Sequence, residues 1–141
     1  MTICFELHPR LQQDCIAVGR FELCRLLMMD DCHYPWFILV PEIPDLRECY
    51  QLTEPQRGLL GEESSYLAEN LARLYHADKM NIAAIGNLVQ QLHIHHIVRY
   101  QTDNAWPAPV WGFVAATPYT GQQISEQLIL LRNGLKHCRF D

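Results

Sequence analysis

The chain has 141 residues, of which 49% are hydrophobic, so it can bury one core but is short for two independent domains. We therefore expect residues 1–141 to form a single domain. The formal net charge is −5, with 11 Lys and Arg residues and no basic run, which argues against a nucleic acid polymer as partner. A mononucleotide stays possible, because one phosphate needs only a few local donors.

The sequence also argues against a membrane partner. No segment approaches the roughly 20 apolar residues that cross a bilayer, and Met1 to Arg10 has no apolar core of signal-peptide length. We therefore expect a cytoplasmic protein. None of the 6 cysteines forms a C-x-x-C pair, and in that compartment we expect reduced thiols.

The first half of the chain predicts strands followed by a helix. Three short apolar runs, separated by turn-forming residues, are typical of an antiparallel meander: Cys15 to Gly19, Cys24 to Met29 and Trp36 to Val40. Thr53 with Gln56 three residues later fits a capped helix start, and leucines then recur at helical spacing. A long helix is therefore predicted over about 53–77.

The second half predicts two more strands and a second helix. The strands are Asn81 to Ile85 and Leu92 to Arg99, with Gly86-Asn87 as the turn between them. The stretch Trp106 to Gly112 cannot be regular structure, because its prolines remove backbone donors. Thr120 to His137 has a capped start and an apolar face at helical spacing. Strands with segregated helices give an α+β fold with a largely antiparallel sheet.

Histidines are concentrated in the last predicted strand. Alternate residues of a strand share a face, so Gln91, His93 and His95 should point one way, about 6.5 to 7 Å apart, while Leu92 and Ile94 enter the core. A solvated polar stripe is the plainest interpretation of this pattern. Two histidines at i and i+2 are also a common arrangement of metal ligands.

Segment 91–99 resembles the motif His-φ-His-φ-His-φ-φ of the histidine triad (HIT) family, where φ is apolar. The family has an Asn on the preceding strand and a Gly-Gln turn before the triad, and Asn81 and Gly86-Asn87 stand at those places. Pro35 to Pro41 resembles the family's Pro-x-x-φ-φ-φ-Pro strand. The resemblance covers roughly residues 14–100.

Three positions depart from the family pattern. Gln91 replaces the first histidine, Asn87-Leu88 replaces Gln followed by Ser or Thr, and His96 stands where an apolar residue is usual. Gln91 keeps an amide donor and acceptor but cannot titrate. If the strand alternates, His96 points into the core, and we interpret it as a hydrogen-bonded core or interface histidine.

The resemblance implies a HIT-like fold and a nucleotidyl hydrolase or transferase. In the family the middle histidine, here His93, attacks the α-phosphate and forms a covalent nucleotidyl-histidine intermediate. His95 would then donate to the phosphate or leaving group, and Gln91 would orient its neighbours. No cofactor or metal is required by this scheme. The substrate would be a mononucleotide or dinucleotide, and the protein a homodimer.

The resemblance also implies nucleotide-binding residues. Asn81 and Asn87 would supply uncharged amide donors. Asp31, with Asp30 as the alternative, precedes the strand 36–40 at the place where the family holds the ribose. An acidic pair is equally an ordinary turn.

Two other functions stay open. A nucleotide-binding module without turnover is the closer one, because Gln91 and Leu88 both weaken the motif. A metal enzyme built on His93 and His95 is the other, although a catalytic zinc usually has a third protein ligand and none stands out. The sequence does not distinguish phosphoramidates, dinucleoside polyphosphates and nucleotide sugars as substrates.

The remaining aromatic and histidine residues receive structural interpretations. Trp106 and Trp111 are more typical of packing or subunit contacts than of a stacking platform. Four further histidines are scattered along the chain, and we expect them to be solvated or structural: His8, His33, His76 and His137.

Overall fold

A computed structural model describes residues 4–141, so the first three residues of the Met1 to Arg10 stretch lie outside the described part. Its elements in chain order are α1 (Pro9–Asp14), β1 (Cys15–Arg20), β2 (Cys24–Met29), β3 (Trp36–Pro41), a 3-10 helix (Cys49–Gln51), α2 (Glu54–Tyr75), β4 (Lys79–Ala83), β5 (Ile94–Arg99), α3 (Gly121–Gly134) and β6 (Arg139–Phe140). No described helix is long and apolar enough to span a membrane.

The strands form one antiparallel sheet in the order β4-β5-β3-β2-β1-β6, which confirms the α+β fold with an antiparallel sheet. The three strands predicted first pair as a meander. After α2 the chain returns to the other side of β3, where β5 inserts between β3 and β4. Trp36 thereby lies opposite Ile97, and Ile38 lies opposite His95.

The two predicted helices begin where their capping residues place them. Thr53 accepts from the backbone N–H of Gln56 at the start of α2, and Thr120 accepts from that of Gln123 at the start of α3. Helix α3 ends at Gly134, three residues before the predicted end. A Cβ atom on Gly134 would lie 2.4 Å from Leu74 of α2, so glycine permits the close approach of the two helices.

Apolar side chains cover both faces of the central strand β3, and all six of its residues are buried. On one face Phe37 and Leu39 pack with Leu67 and Leu71 of α2. On the other face a second hydrophobic cluster combines residues of the central strands with residues of the loops and of α1: Leu11, Leu27, Tyr34, Trp36, Ile38, Val40, Val89, Ile97, Ala105 and Val110. Alternate residues of β5 therefore enter different environments.

The later strands differ in their limits from the prediction. β4 begins and ends two residues earlier than Asn81 to Ile85, and β5 begins two residues later than Leu92. The reason for the second shift is that the backbone N–H of Leu92 donates to the carbonyl of Leu46, which lies in a loop. Helix α1, the 3-10 helix and β6 were not predicted, because each is short. The irregular course of 106–112 is confirmed.

Candidate active site

His93 lies immediately before β5 and is 7% exposed. Its Nδ1 atom lies 2.7 Å from the backbone carbonyl oxygen of Gln91. Because a carbonyl oxygen only accepts, Nδ1–H is the donor, and the neutral ring carries its free lone pair on Nε2. The local backbone thus selects the tautomer whose Nε2 atom can act as a nucleophile.

A cleft of about 250 Å³ opens beside His93. Its lining comes from the turn before the histidines and from a neighbouring loop: Arg47, Glu48, Ala84, Ile85, Gly86, Asn87, Gln90, Gln91, Leu92 and His93. Gly86 has a φ of 70°, a left-handed conformation that glycine adopts without strain. Asn87 thus brings an amide, and Arg47 a guanidinium, to the wall of the same cleft as His93.

A wider groove of about 1190 Å³ shares Arg47, Gln90 and Gln91 with this cleft. The N-terminal segment 4–9 forms one of its walls. Gln91 connects that wall to the histidines. Its side chain donates from Nε2 to the carbonyl of Glu6 at 2.8 Å and accepts from the backbone N–H of His8 at 2.9 Å.

Gln91 thus lies outside β5, and its side chain is bonded to the N-terminal segment. Only its backbone carbonyl bonds to the His93 ring. Any residue at position 91 could supply that carbonyl, so the orientation of His93 does not depend on the type of side chain there.

His95 lies on β5, and its ring packs against the imidazole of His93 and the indoles of Trp36 and Trp111. The ring centroids of His93 and His95 are 5.0 Å apart, and those of His95 and Trp111 are 5.1 Å apart. Trp36 donates from its indole Nε1–H to Nδ1 of His95 at 2.9 Å. Burial lowers the pKa of His95 to about 3, and the nearby His93 and His96 act in the same direction.

His96 points to the opposite face of the sheet, as strand alternation predicts, and is fully buried against α2. Its Nδ1 bonds to the carbonyl of Ile94 at 3.0 Å, and its Nε2 lies 2.7 Å from Oγ of Ser64. Burial lowers the pKa of His96 to about 4, although the bond to the Ile94 carbonyl opposes this shift. His96 is a hydrogen-bonded core histidine.

Asn81 and Asp31 form hydrogen bonds with residues other than His93 and His95. Asn81 Oδ1 accepts from Nη1 of Arg99 at 2.7 Å. Asp31 is buried and accepts from the backbone and ring of His33 at 3.1 and 2.7 Å. It lies in the connection that enters β3, whereas His93 lies beside the other end of that strand. Of the sequence-predicted site residues, the structure brings together His93, His95, Asn87 and the backbone of Gln91.

Sequence reasoning did not identify Trp36 or Arg47 as parts of this site. Trp36 and Ile38 share a face of β3 by alternation, but the position of β5 beside them depends on strand order. Arg47 precedes a 3-10 helix and has no motif around it. Among residues 4–141, no group of three His, Cys, Asp or Glu side chains is arranged to hold a metal ion.

Comparison with known proteins identifies the family. A model of the HIT domain matches residues 10–102. A histidine triad protein of Marinobacter aquaeolei VT8 is 46% identical over 97% of this chain and 100% of its own, with a TM-score of 0.94.

Two rhizobial structures are similar as well. A histidine triad protein of Bradyrhizobium japonicum is 39% identical, covers 94% of this chain and 99% of its own, and has a TM-score of 0.92. A histidine triad protein from Sinorhizobium meliloti 1021 is 38% identical, covers 93% of this chain and 97% of its own, and has a TM-score of 0.90. No similar protein was found among curated sequences. With the HIT domain model matched and these structural neighbours sharing its fold, the chain belongs to the HIT domain family.

Proposed function

We propose that the chain is a HIT-type nucleotidyl hydrolase or transferase in which His93 attacks the α-phosphorus of a nucleotide. The observation that carries the proposal is the bond between His93 Nδ1 and the Gln91 carbonyl, which leaves the Nε2 lone pair free beside the cleft. Membership of the HIT family supports a nucleotide-related function.

The proposed reaction proceeds in two displacements. His93 Nε2 forms a bond to the α-phosphorus, the bond from phosphorus to the leaving group breaks, and the electron pair departs with the leaving group. The phosphorylated ring keeps its Nδ1 proton, which stays bonded to the Gln91 carbonyl. The oxygen of water or of another hydroxyl then bonds to phosphorus and its proton passes to solvent. The P–N bond breaks, and its electron pair returns to Nε2 of His93.

The cleft supplies groups for binding and charge stabilisation. Arg47 can balance phosphate charge, and the Asn87 amide can donate to a phosphate oxygen. Asn81 Oδ1 is bonded to Arg99 and Asp31 Oδ1 to His33, and neither residue lines the cleft beside His93, so the proposal assigns neither of them a nucleotide contact. The side chain of Gln91 contributes by holding the N-terminal wall of the groove.

A screen against substrates with one common nucleotide tests this function. A dinucleoside polyphosphate, a nucleotide sugar and a nucleoside phosphoramidate are incubated with the protein, and mass spectrometry locates the covalent adduct. His93→Ala should abolish adduct and turnover while retaining nucleotide binding. The matched control is His137→Ala, an exposed histidine stacked on Tyr66.

The outcomes separate the proposed enzyme from a binding module. Full activity in His93→Ala would contradict the role of His93. Retained nucleotide binding with no turnover of any substrate by the wild-type protein would select the binding module, which keeps the cleft without the chemistry.

The proposed enzyme is a homodimer. Trp106, which lies 5.7 Å from Arg99, and Trp111, which contacts His95, pack on their own chain, so they do not by themselves require a partner. Other apolar residues, at or near the β4 edge of the sheet, are exposed as well: Ile82, Ile85 and Leu88. Sedimentation at micromolar concentration should give twice the 16.4 kDa of one chain, and a mass of one chain would contradict the dimer.

A further inference from the structure

The bond between Trp36 and His95 defines where the His95 proton lies. An indole N–H can donate and has no acceptor. His95 Nδ1, 2.9 Å from Trp36 Nε1, must therefore be the unprotonated nitrogen, and in the neutral ring the proton is on Nε2. No bond from a described residue reaches that Nε2–H.

We propose that Trp36 is a positioning residue that keeps His95 a neutral Nε2–H donor, so that His95 stabilises the phosphate and does not act as a general acid. This inference rests on the proposed function for its role in the reaction. The tautomer itself can be measured without any substrate.

Protonation of His95 would place two N–H donors against each other across the 2.9 Å contact with Trp36. The residues packed around the ring do not compensate for the loss of this hydrogen bond. β3 supplies Trp36 and Ile38, β4 supplies Ala83, and the 106–112 segment supplies Trp111.

The titratable neighbours of His95 also oppose its protonation. They are His93 and His96, and among the described residues no carboxylate faces the ring. Burial has the same effect, since it lowers the pKa of His95 to about 3.

The two neighbouring imidazoles thus receive complementary roles from different partners. The carbonyl of Gln91 accepts from His93 and leaves a lone pair on Nε2, whereas the indole of Trp36 donates to His95 and leaves a proton on Nε2. With their ring centroids 5.0 Å apart, the pair presents one nucleophile and one donor. His95 enters the reaction as a neutral ring, because its Nδ1 accepts from Trp36.

This division of roles favours one class of substrate. A phosphoanhydride leaving group departs as a phosphate anion and needs no proton at neutral pH. The amine of a phosphoramidate must be protonated as it leaves, and a neutral His95 locked by Trp36 is a poor acid for that step. The site therefore fits nucleotides whose α-phosphate is joined to a second phosphate.

Long-range ¹H–¹⁵N NMR of the ligand-free protein measures the tautomer directly. We expect His95 Nδ1 to resonate as an unprotonated nitrogen and Nε2 as a protonated one, unchanged between about pH 7 and 5. An Nδ1–H tautomer, or an imidazolium at pH 5, would overturn the inference. Absence of nucleotide turnover would contradict the proposed function and leave this spectrum unaffected.

Two tryptophan variants separate hydrogen bonding from packing. Trp36→Phe keeps an aromatic ring and removes the donor, so His95 should show mixed tautomers and a higher pKa, and kcat should fall about 10- to 100-fold with little change in KM. In the control Trp111→Phe, which removes an indole that contacts the same ring without a described bond to it, the tautomer should persist. A pure Nε2–H tautomer in Trp36→Phe would contradict the role of Trp36; if that variant does not fold, the wild-type spectrum decides.

Discussion

The guanidinium of Arg99 lies against both carboxylate oxygens of Asp103, with Nε 2.8 Å from Oδ2 and Nη2 3.0 Å from Oδ1. Both side chains are almost fully buried, and Arg99 also donates to Asn81 and to the carbonyl of Ala108. The pair joins the end of β5 to the 106–112 segment, which carries Trp111 to His95.

Removing one partner of this pair should destabilise the fold strongly. Asp103→Asn leaves the Arg99 charge buried without its counterion, and we expect a loss of about 3 to 5 kcal/mol in the free energy of unfolding. Urea denaturation measures it. The control is Asp14→Asn, which breaks the exposed i,i+4 pair with Arg10 and should cost no more than about 1 kcal/mol. Equal losses in both variants would contradict the importance of burial.

Acid should destabilise the protein through its buried histidines. Burial lowers the pKa of His95 to about 3 and that of His96 to about 4, below the ordinary value of 6.5. Between pH 6.5 and 4 the unfolded chain binds protons that the folded chain does not. Stability is therefore full above pH 6.5 and falls as the pH drops, by about 1.4 kcal/mol per pH unit for each histidine.

Asp103 extends this loss to lower pH. Burial acts to raise the pKa of its carboxyl, but hydrogen bonds from Arg99 and from three backbone amides lower it to about 2. Its contribution is present above its ordinary pKa of 3.8 and is lost as the pH falls towards 2. Urea unfolding at several pH values measures both ranges, and a constant free energy from pH 7 to 4 would disprove the assignment of neutral, buried histidines.

Substitution of Gln91 should affect the N-terminal segment more than the chemistry. Gln91→Ala removes the partners of the Glu6 carbonyl and the His8 amide, so hydrogen exchange at His8 should accelerate. Gln91→His should change kcat/KM by less than about tenfold, or roughly 1.4 kcal/mol of barrier, because the backbone carbonyl still orients His93. A gain of a thousandfold in that variant would mean that the natural chain is a weakened enzyme.

The nature of the leaving group should govern the rate. For two substrates that share one nucleotide, we expect the phosphoanhydride to have a kcat/KM about 100-fold above that of the phosphoramidate, since general acid catalysis is worth about 10² to 10⁴ in rate. Steady-state kinetics at neutral pH provides the comparison. A faster phosphoramidate would show that a proton donor serves the leaving group after all.

Much of the fold could be predicted because its determinants are local. The caps at Thr53 and Thr120 are contained in four-residue patterns, and alternation along β5 correctly places His96 in the core. The limits of β4 and β5 could not be predicted. They depend on distant partners. The amide of Leu92, for example, donates to the carbonyl of Leu46 and so does not bond to a neighbouring strand.

The candidate site was predictable only in part for the same reason. The spacing of His93 and His95 indicates their common face, but their tautomers depend on Gln91 and on Trp36, and Trp36 lies 59 residues from His95 in the chain. Alternation alone also placed the Gln91 side chain beside the histidines, whereas its amide lies against Glu6 and His8. Sequence spacing does not reveal which distant backbone offers a better partner.

Two of the chain's three tryptophans lie against the His95 ring, which gives the protein its own optical reporter. Trp111 is 37% exposed, so a molecule that settles beside His95 displaces water from its indole and changes its emission. Trp36 is shielded in the core and senses the imidazole through its N–H. Intrinsic fluorescence of the unlabelled chain can therefore follow occupancy of the site in real time.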